Sequence, residues 1–416
     1  MNLWNETKSV PISRQMVWAA YKKVRSNQGG AGVDQISMEE YDAKRSEHLY
    51  KLWNRMSSGS YFPPAVKEVE IPKKDGKVRK LGIPTISDRV GQMVIKDYLE
   101  PRFEKIFSPD SYGYRPDKNA HQALEAVRNN CRKTDWVIDL DIKGFFDNID
   151  HVKLLKALEK HVSERWCLLY IQRWLTTPVQ VKSGDLIYKQ GKGTPQGGVI
   201  SPLLANLFLH YAMDKWLELT HPTVKYVRYA DDAILHCRSK AQADYVLDNL
   251  GRRMQDCGLE LHPEKTKIVY CKDYRRQCAF KNVKFDFLGY SFQPRSTATK
   301  GKGKLFLGFD CAISISSKKR VIAKMKELNI PGLTHRSIVG VAQFLNPYIR
   351  GWINYYGKYR RSMLNPIFQL LRRKLVQWAR GRYKRYKTSV NRAYDWLGRI
   401  RIQFPYLFYQ WQLGFY

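Results

Sequence analysis

The sequence predicts an α+β fold up to about residue 292 and an all-α, strongly basic region after it. Short apolar stretches with interspersed polar residues, such as those within 136–150 and 224–237, are typical of strands and lie between helical patterns. From about residue 313 the apolar residues recur at steps of three and four, as on one face of a helix. With 416 residues, 44% of them hydrophobic, the chain is long enough for two or three packed subdomains.

The first 124 residues contain predicted helices, one hairpin and two polar loops. The hairpin is expected where the Asp75-Gly76 pair, typical of a tight turn, lies between two strand patterns. The predicted elements are helices at 13–26, 38–57 and 86–106, the glycine-rich loop SNQGGAGVD at 26–34, the hairpin at 66–84 and a polar loop at 108–124.

The next predicted elements carry acidic residues within apolar sequence. WVIDLDIKGFFDNID begins as a strand at 136 and puts Asp139 and Asp141 on one face. VKYVRYADDAILHC is typical of a hairpin with Asp231 and Asp232 at its tip. The other predicted elements are a helix at 151–175, a loop at 190–202, a buried helix at 199–213, a helix at 239–257 and further strands up to 292.

The C-terminal region has a different composition. Residues 328–416 contain 16 Lys and Arg but a single acid, Asp395. Asn346-Pro347 and Asn365-Pro366 each predict a helix start, because Asn is a favoured N-cap and Pro a favoured first residue. An apolar stripe also predicts helix; it comprises positions 338, 341, 345, 348, 352, 355 and 359.

The net charge points to a polyanionic partner. Seventy-two Lys and Arg against 38 Asp and Glu give a formal charge of +34. Such an excess would repel itself unless a polyanion neutralised it, so nucleic acid is the expected partner. An anionic membrane is the weaker alternative, because membrane-binding charge is usually confined to a short segment, and we expect no membrane partner.

The cysteines and the N-terminus favour a cytoplasmic protein. Seven scattered cysteines form no CxxC pair, which favours reduced thiols. The N-terminal sequence MNLWNETKSV lacks the basic and apolar regions of a signal peptide.

The aspartates in strand sequence are the candidates for chemistry. An adjacent pair of aspartates is most often an ordinary turn or surface feature, but both stretches here place acids within strongly apolar sequence. Carboxylates about 4 Å apart repel by several kcal/mol, so they share a proton or bind a cation. Oxygen ligands favour Mg²⁺, with Mn²⁺ as a substitute. Two such ions can activate a 3′-hydroxyl and stabilise a leaving pyrophosphate.

These residues belong to a recognisable series of motifs. YADD at 229–232 resembles the Y-x-D-D box of reverse transcriptases, and six further stretches surround it in the order of that family. They are IPKKDGKVRKLGIPTISDR (71–89), SYGYRPDKNAHQAL (111–124), DIKGFFDNIDH (141–151), GTPQGGVISPLLANL (193–207), GLELHPEKTKI (258–268) and FDFLGYSF (285–292). Over roughly 26–360 the chain is similar to bacterial group II intron-encoded reverse transcriptases and their close relatives.

The resemblance implies a right-hand polymerase fold. Fingers and a palm, with an antiparallel palm sheet plus helices, are then followed by an all-α basic thumb. The expected domains are an N-terminal extension with a template-covering loop (1–35), fingers and palm (36–292), a helical thumb or maturase domain (293–387) and a basic nucleic-acid-binding tail (388–416).

The resemblance also assigns catalytic roles. Asp141, Asp231 and Asp232 match the metal-binding triad for two Mg²⁺ ions. Lys265 matches the general acid that protonates pyrophosphate, with a solvated helix-end lysine as the alternative.

Five residues match positions that contact the incoming nucleotide. Phe146 matches the gate that excludes a ribose 2′-hydroxyl, although the same ring could belong to the core. Arg115 would support template or nucleotide, with turn stabilisation as an equal alternative. The nucleotide-binding set is Lys73, Arg79, Phe146, Gln196 and Arg115.

The basic C-terminal residues are expected to contact nucleic acid. LNPYIRGWINYYGKY (345–359) resembles the maturase signature, and its aromatic stripe is expected to pack between helices. The expected phosphate contacts are Arg350, Lys358, Arg360, Arg361, Arg372, Arg373, Lys384 and Arg385.

The resemblance implies an RNA-directed DNA polymerase that also binds its parent intron RNA, assists splicing and serves intron mobility. The implied partners are an RNA template and primer, structured group II intron-like RNA, DNA and dNTPs, and a homodimer is left open. The chain has no cysteine after Cys311, so we expect no HNH endonuclease domain. Two alternatives are an RNA-binding splicing factor with a vestigial polymerase, and a host-adapted reverse transcriptase acting in repair, antiviral defence or spacer acquisition.

Overall fold

The structure, a computed structural model, describes residues 10–72, 78–298 and 305–416. The helices are α1 (Arg14–Ser26), α2 (Met38–Ala43), α3 (Arg45–Ser57), α4 (Ile86–Glu104), α5 (Ala120–Cys131), α6 (Phe145–Asn148), α7 (His151–Glu159), α8 (Arg165–Thr176), α9 (Ser201–Leu209), α10 (Lys215–Thr220), α11 (Lys240–Asp256), α12 (Ile315–Glu327), α13 (Ile338–Tyr356), α14 (Asn365–Arg382), α15 (Val390–Gln403) and α16 (Tyr409–Gln412). The strands are β1 (Val66–Pro72), β2 (Val78–Ile83), β3 (Trp136–Leu140), β4 (Val179–Gln180), β5 (Leu186–Ile187), β6 (Lys225–Tyr229), β7 (Asp232–Cys237), β8 (Lys267–Tyr270), β9 (Phe285–Phe287), β10 (Tyr290–Ala298) and β11 (Leu305–Ile313). The α+β prediction is confirmed.

Local capping signals set where several helices begin. Ser13 and Ser239 each accept a hydrogen bond from a backbone N–H in the first turn of α1 and α11, which satisfies a donor that the helix leaves unpaired. The helices predicted at 13–26 and 239–257 are therefore confirmed to within a few residues.

Two predicted helices are each divided in the structure. The segment 38–57 forms α2 and α3, separated at Lys44, and the segment 151–175 forms α7 and α8. In the first case residues 44–48 are all polar, so the apolar spacing is interrupted where α2 ends and α3 begins.

The strands form three sheets. Their orders are β2-β1-β4-β5, β11-β10-β9 and β6-β7-β3-β8. In the third sheet β6 and β7 are antiparallel, and their last pair joins Tyr229 to Asp232. This sheet brings β3, which precedes Asp141, next to β7, which begins with Asp232.

The chain divides into two compact units, to which the described residues of Met1–Ala123 with Ile138–Lys267 and of Leu124–Val137 with Ile268–Tyr416 belong. In the first unit α4 is buried on nearly all sides, and even Asp88 in its first turn is buried. The Asp88 carboxylate accepts hydrogen bonds from Trp174 Nε1 at 2.7 Å, Tyr61 Oη at 3.0 Å and Gln92 Nε2 at 2.9 Å. Burial outweighs these bonds and raises the pKa of Asp88 to about 6.

The raised pKa of Asp88 gives a testable dependence of stability on pH. A carboxyl group whose pKa is higher in the folded state stabilises the fold below its ordinary pKa and loses that contribution as the pH rises. Relative to Asp88→Asn, the wild-type free energy of unfolding is expected to fall by about 2 kcal/mol between pH 4 and pH 7. Urea unfolding of both proteins across this range measures the difference, and parallel curves would contradict it.

The second unit is built mainly on the C-terminal helices. Buried apolar residues from α12 to α16 form one hydrophobic cluster, in which Trp378 is fully buried and packs near Trp396. Asn365 begins α14 and Pro366 follows it, so this predicted helix start is confirmed to within one residue.

The prediction of a helix start at Asn346-Pro347 is wrong. Both residues lie inside α13, which begins nearer the N-terminus with Ser337 as its N-cap. The Asn346 amide instead donates to the Leu407 carbonyl at 3.0 Å and accepts from the Tyr409 backbone N–H at 2.9 Å. This asparagine therefore holds a segment distant in sequence, which no local pattern indicates.

Strands also extend further than the sequence predicted. β10 and β11 pair antiparallel from Tyr290 with Ile313 to Ala298 with Leu305, so residues 293–298 and 305–313 are strand rather than helix. The expected helical domain at 293–387 is helical only from Ile315. Burial in β11 increases toward its C-terminal end, where Phe309, Cys311, Ala312 and Ile313 are buried.

All seven cysteines are free thiols in the structure, and six of them are buried. Within the described parts of the chain, every helix is too short or too polar to cross a membrane.

Candidate active site

The hairpin of β6 and β7 places two aspartates at one tight turn. Tyr229 and Asp232 form the last cross-strand pair, so Ala230 and Asp231 make the turn between them. Ala230 has a φ of 58°, in the left-handed region that a non-glycine residue enters at a cost of about 1 kcal/mol. Positive φ at this position matches the right-handed twist of a two-residue hairpin. The turn therefore fixes where both carboxylates emerge.

Asp141 follows β3 and is held by the segment that precedes β8. Its carbonyl accepts from the His262 backbone N–H at 2.8 Å, and its backbone lies 3.3 Å from Thr266 Oγ1. Its carboxylate Oδ2 lies 3.4 Å from Lys265 Nζ. Asp141 is thus held beside His262, Lys265 and Thr266, which are more than 120 positions away in the sequence.

The electrostatics place all four predicted catalytic residues in one cluster. Asp232 is exposed at the start of β7, and desolvation by the protein around it is the largest cause that raises the pKa of its carboxyl group to about 7. The negative charges of Asp231 and Asp141 raise it further, and Lys265 lowers it. The Asp232 carboxyl group is therefore within electrostatic reach of Asp231, Asp141 and Lys265.

The carboxylates are not already arranged as a finished metal site. Among the residues that the structure describes, no three His, Cys, Asp or Glu side chains stand in a geometry that could hold an ion. The donor set itself is of hard oxygen atoms, the ligands that Mg²⁺ prefers.

A second group of predicted residues lies on the loop before α9. The Thr194 backbone N–H donates to the Phe146 carbonyl at 2.8 Å, so this loop is fixed against the half-buried Phe146 on α6. Gln196 Nε2 lies 3.4 Å from both carboxylate oxygens of Asp147, an exposed residue that the sequence analysis did not single out. The motif DIKGFFDNIDH contains this acid, but nothing in its spacing distinguishes it from the neighbouring acids.

The same loop contacts the strand pair predicted to hold nucleotide. The Gly82 backbone N–H donates to the Gln196 carbonyl at 2.6 Å. A Cβ at Gly197 would overlap the Gly82 carbonyl oxygen, so only glycine permits this approach. Lys73 lies outside the described residues, and Arg79 is described only as a backbone position of β2, paired with Ile71.

The structure corrects the assignment of Arg115 to template or nucleotide. Its side chain is 5% exposed and forms a two-pronged ion pair with Glu104, with Nη2–Oε2 at 2.8 Å. Its Nη1 also donates to the carbonyls of Ser108 and Ser111. The guanidinium is engaged along both edges, so Arg115 stabilises the turn, the alternative considered above.

Two of the arginines expected to contact phosphate also form bonds within the protein. Arg360 Nε lies 3.2 Å from Asp310 Oδ2, and its Nη1 donates to the Ser296 carbonyl at 2.8 Å. Arg361 donates to the Leu413 carbonyl and lies 4.8 Å from the centre of the Phe415 ring. Both side chains are therefore bonded within the protein, and their contact with nucleic acid stays a prediction.

The other basic candidates are exposed, and we call them the C-terminal basic surface. Three of them lie over aromatic rings, an arrangement that leaves the edges of the guanidinium open. The set is Arg350, Lys358, Arg372, Arg373, Lys384 and Arg385.

Comparison with known sequences agrees with this geometry. Residues 71–292 match the family "Reverse transcriptase (RNA-dependent DNA polymerase)", and residues 318–395 match "Group II intron, maturase-specific domain". The group II intron-encoded protein LtrA of Lactococcus lactis subsp. cremoris is 29% identical over 383 residues, which cover 76% of this chain and 59% of LtrA. Protein YkfC of Escherichia coli (strain K12) is 31% identical over 279 residues, which cover 58% of this chain and 73% of YkfC.

The first match contains the acidic cluster, the Gln196 loop and β2, and the second contains most of α12 to α15. The chain spans 59% of the length of LtrA. It belongs to the reverse transcriptase (RNA-dependent DNA polymerase) family, in the group II intron form that also carries a maturase-specific domain.

Proposed function

We propose that this protein is an RNA-directed DNA polymerase that adds dNTPs to a primer 3′-hydroxyl. The observation that carries this proposal is the meeting of Asp141, Asp231 and Asp232 beside Lys265, in a chain of the reverse transcriptase family. The three carboxylates carry more negative charge than one lysine offsets, and the raised pKa of Asp232 reflects this in part.

Divalent ions would balance this charge. Asp141, Asp231 and Asp232 would hold two Mg²⁺ ions, which activate the 3′-hydroxyl and stabilise the leaving pyrophosphate when bound. The ammonium of Lys265 lies close enough to the cluster to donate a proton to pyrophosphate.

Residues on α6 and the loop before α9 would hold the incoming nucleotide. Phe146 would lie beneath the sugar, and Gln196, oriented by Asp147, would lie beside the sugar and base. Lys73, which lies outside the described residues, and Arg79 of β2 would bind the triphosphate, as the resemblance implies.

A primer-extension assay tests the proposal directly. The full chain is mixed with an annealed RNA template and DNA primer, dNTPs and Mg²⁺, and extension is expected only when Mg²⁺ or Mn²⁺ is present. If no extension occurs at any salt concentration while structured intron RNA still binds tightly, the chain is a splicing factor with a vestigial polymerase.

Phe146→Ala tests how the site selects the sugar. Removing the ring opens space beneath the ribose, so discrimination against ribonucleotides is expected to fall by about 10- to 100-fold, the range given by one changed pocket contact. Competition between dNTP and rNTP in single-nucleotide extension measures it. Phe145→Leu is the matched control, since the neighbouring ring is buried and should affect stability alone. Unchanged selection in Phe146→Ala would remove the gate assignment.

We further propose that the protein binds structured intron RNA, assists its splicing and serves intron mobility at a DNA target. The match to the maturase-specific domain and the C-terminal basic surface support this role. Its free thiols fit a reducing compartment such as the cytoplasm. Splicing of a flanking intron at low Mg²⁺, with and without the protein, tests it, and an equal splicing rate would contradict it.

A further inference from the structure

The strand that leads into the acidic turn contains a fully buried ion pair. Arg228 on β6 and Asp214 are each 0% exposed, with Nε–Oδ1 at 2.8 Å and Nη2–Oδ2 at 2.6 Å. Burying two charges is costly, and such a pair is often replaceable by apolar residues without loss of stability. Its presence at this position therefore calls for an explanation other than stability.

The remaining edge of the guanidinium reaches the turn itself. Arg228 Nη1 donates to the Ala230 carbonyl at 3.0 Å and to Asn206 Oδ1 at 2.9 Å. Ala230 is the residue with positive φ, and its carbonyl carbon is bonded to the nitrogen of Asp231. The arginine therefore holds the peptide group that carries the first aspartate of the turn.

A second contact confines the turn from another side. Asn206 Nδ2 donates to the Gly113 carbonyl at 2.8 Å. A Cβ at Gly113 would overlap the backbone nitrogen of Ala230, so the Gly113 backbone lies directly against the turn. The Tyr112 backbone N–H also donates to the Arg228 carbonyl at 2.8 Å. The loop that contains Gly113 is thus tied to the same arginine and the same turn.

An irregular helical segment supplies the aspartate. α9 is followed by a π-helical turn, His210–Asp214, before α10 begins. Such turns insert an extra residue into a helix, change which side chains face inward and are frequent at functional sites. Arg253 on α11 donates to the Tyr211 and Ala212 carbonyls of this turn at 3.0 and 3.1 Å, which fixes it in place.

We infer that Arg228 and Asp214 are positioning residues for the polymerase reaction, which hold the Ala230–Asp231 peptide so that the aspartates of the turn face Asp141. The inference rests on the proposed polymerase function. Their contacts reach backbone and Asn206 rather than substrate, so their effect on the reaction passes through the geometry of the carboxylates.

A double variant, Arg228→Met with Asp214→Leu, tests the inference without leaving a single buried charge. Because both charges go together, the thermal midpoint is expected to change little. The turn loses its hydrogen bond, so kcat is expected to fall by about 10²-fold, the scale of a 1 Å misplacement. The KM for dNTP should stay within about 3-fold, since the nucleotide contacts are retained. The half-saturating Mg²⁺ concentration should rise several-fold.

Two further variants complete the test. Arg102→Met with Glu164→Leu removes another two-pronged ion pair of the same unit, with distances of 2.7 and 2.8 Å, and should leave kcat and Mg²⁺ dependence unchanged. Should the first double variant fail to fold, Asn206→Ala keeps the ion pair and is expected to show the same combination of lower kcat and higher Mg²⁺ requirement.

The outcomes separate this inference from the proposed function. An active wild type with unchanged kcat and Mg²⁺ dependence in the folded Arg228 and Asp214 variant would overturn the positioning role. A wild type that never extends a primer would instead overturn the polymerase function.

Discussion

Asp231→Asn is expected to lower the rate of primer extension by about 10³-fold or more, because the loss of a shared metal ligand removes several kcal/mol of transition-state stabilisation. The substitution keeps the size and shape of the side chain, so the turn should remain folded. It also removes a negative neighbour that raises the pKa of Asp232, and that pKa should move down toward its ordinary value. Extension kinetics at saturating dNTP and Mg²⁺ measure the main effect.

Glu260→Gln is the matched control for this prediction. The Glu260 carboxylate is exposed and lies 2.9 Å from Lys143 Nζ. Lys143 follows Asp141 by two residues in the sequence. Removing that charge changes the net charge by the same amount, and extension should stay within about 3-fold of wild type, as for an ordinary surface ion pair. Comparable losses in the two variants would mean that Asp231 acts through the general field rather than as a ligand.

The sequence alone predicted the strands that carry the acids but not their meeting. Short apolar runs beside Asp141 and Asp231 indicate strands, and most residues of β3, β6 and β7 are buried in the structure. The two aspartates stand 90 residues apart, and no local pattern shows that β3 lies beside β7 in the sheet. From the sequence, only the resemblance to a family with a known order of motifs predicted that these aspartates lie together.

Roles of single arginines were the least predictable feature. Sequence shows that a segment is basic, but it does not show which cation finds an acid elsewhere. Arg360 pairs with Asp310, 50 residues away, and Arg115 pairs with Glu104 across a turn. Nothing in the sequence around Arg228 shows that its side chain is buried. Its partner Asp214 lies in a π-helical turn, which apolar periodicity does not reveal.

The strongest remaining test concerns the C-terminal basic surface. Counterions are released when cations neutralise phosphates, so the affinity for structured RNA falls with salt in proportion to the number of contacts. With four to six of these residues on phosphates, affinity is expected to fall by about 10² to 10³-fold between 50 and 200 mM salt. Filter binding of an intron RNA at several salt concentrations gives the slope, and a flat response would contradict an electrostatic surface.

Removing two of these charges separates the surface from the net charge of +34. Arg372→Ala with Arg373→Ala deletes neighbouring exposed cations on α14, so the slope of log affinity against log salt should become shallower by about 1.5 to 2. Arg252→Ala is the control, since this exposed arginine lies on α11 in the other unit and pairs with Asp248 at 2.5 Å. Both variants lower the net charge, but only the double variant alters the C-terminal basic surface. If the wild type and both variants show the same slope of log affinity against log salt, the RNA binds elsewhere on the chain.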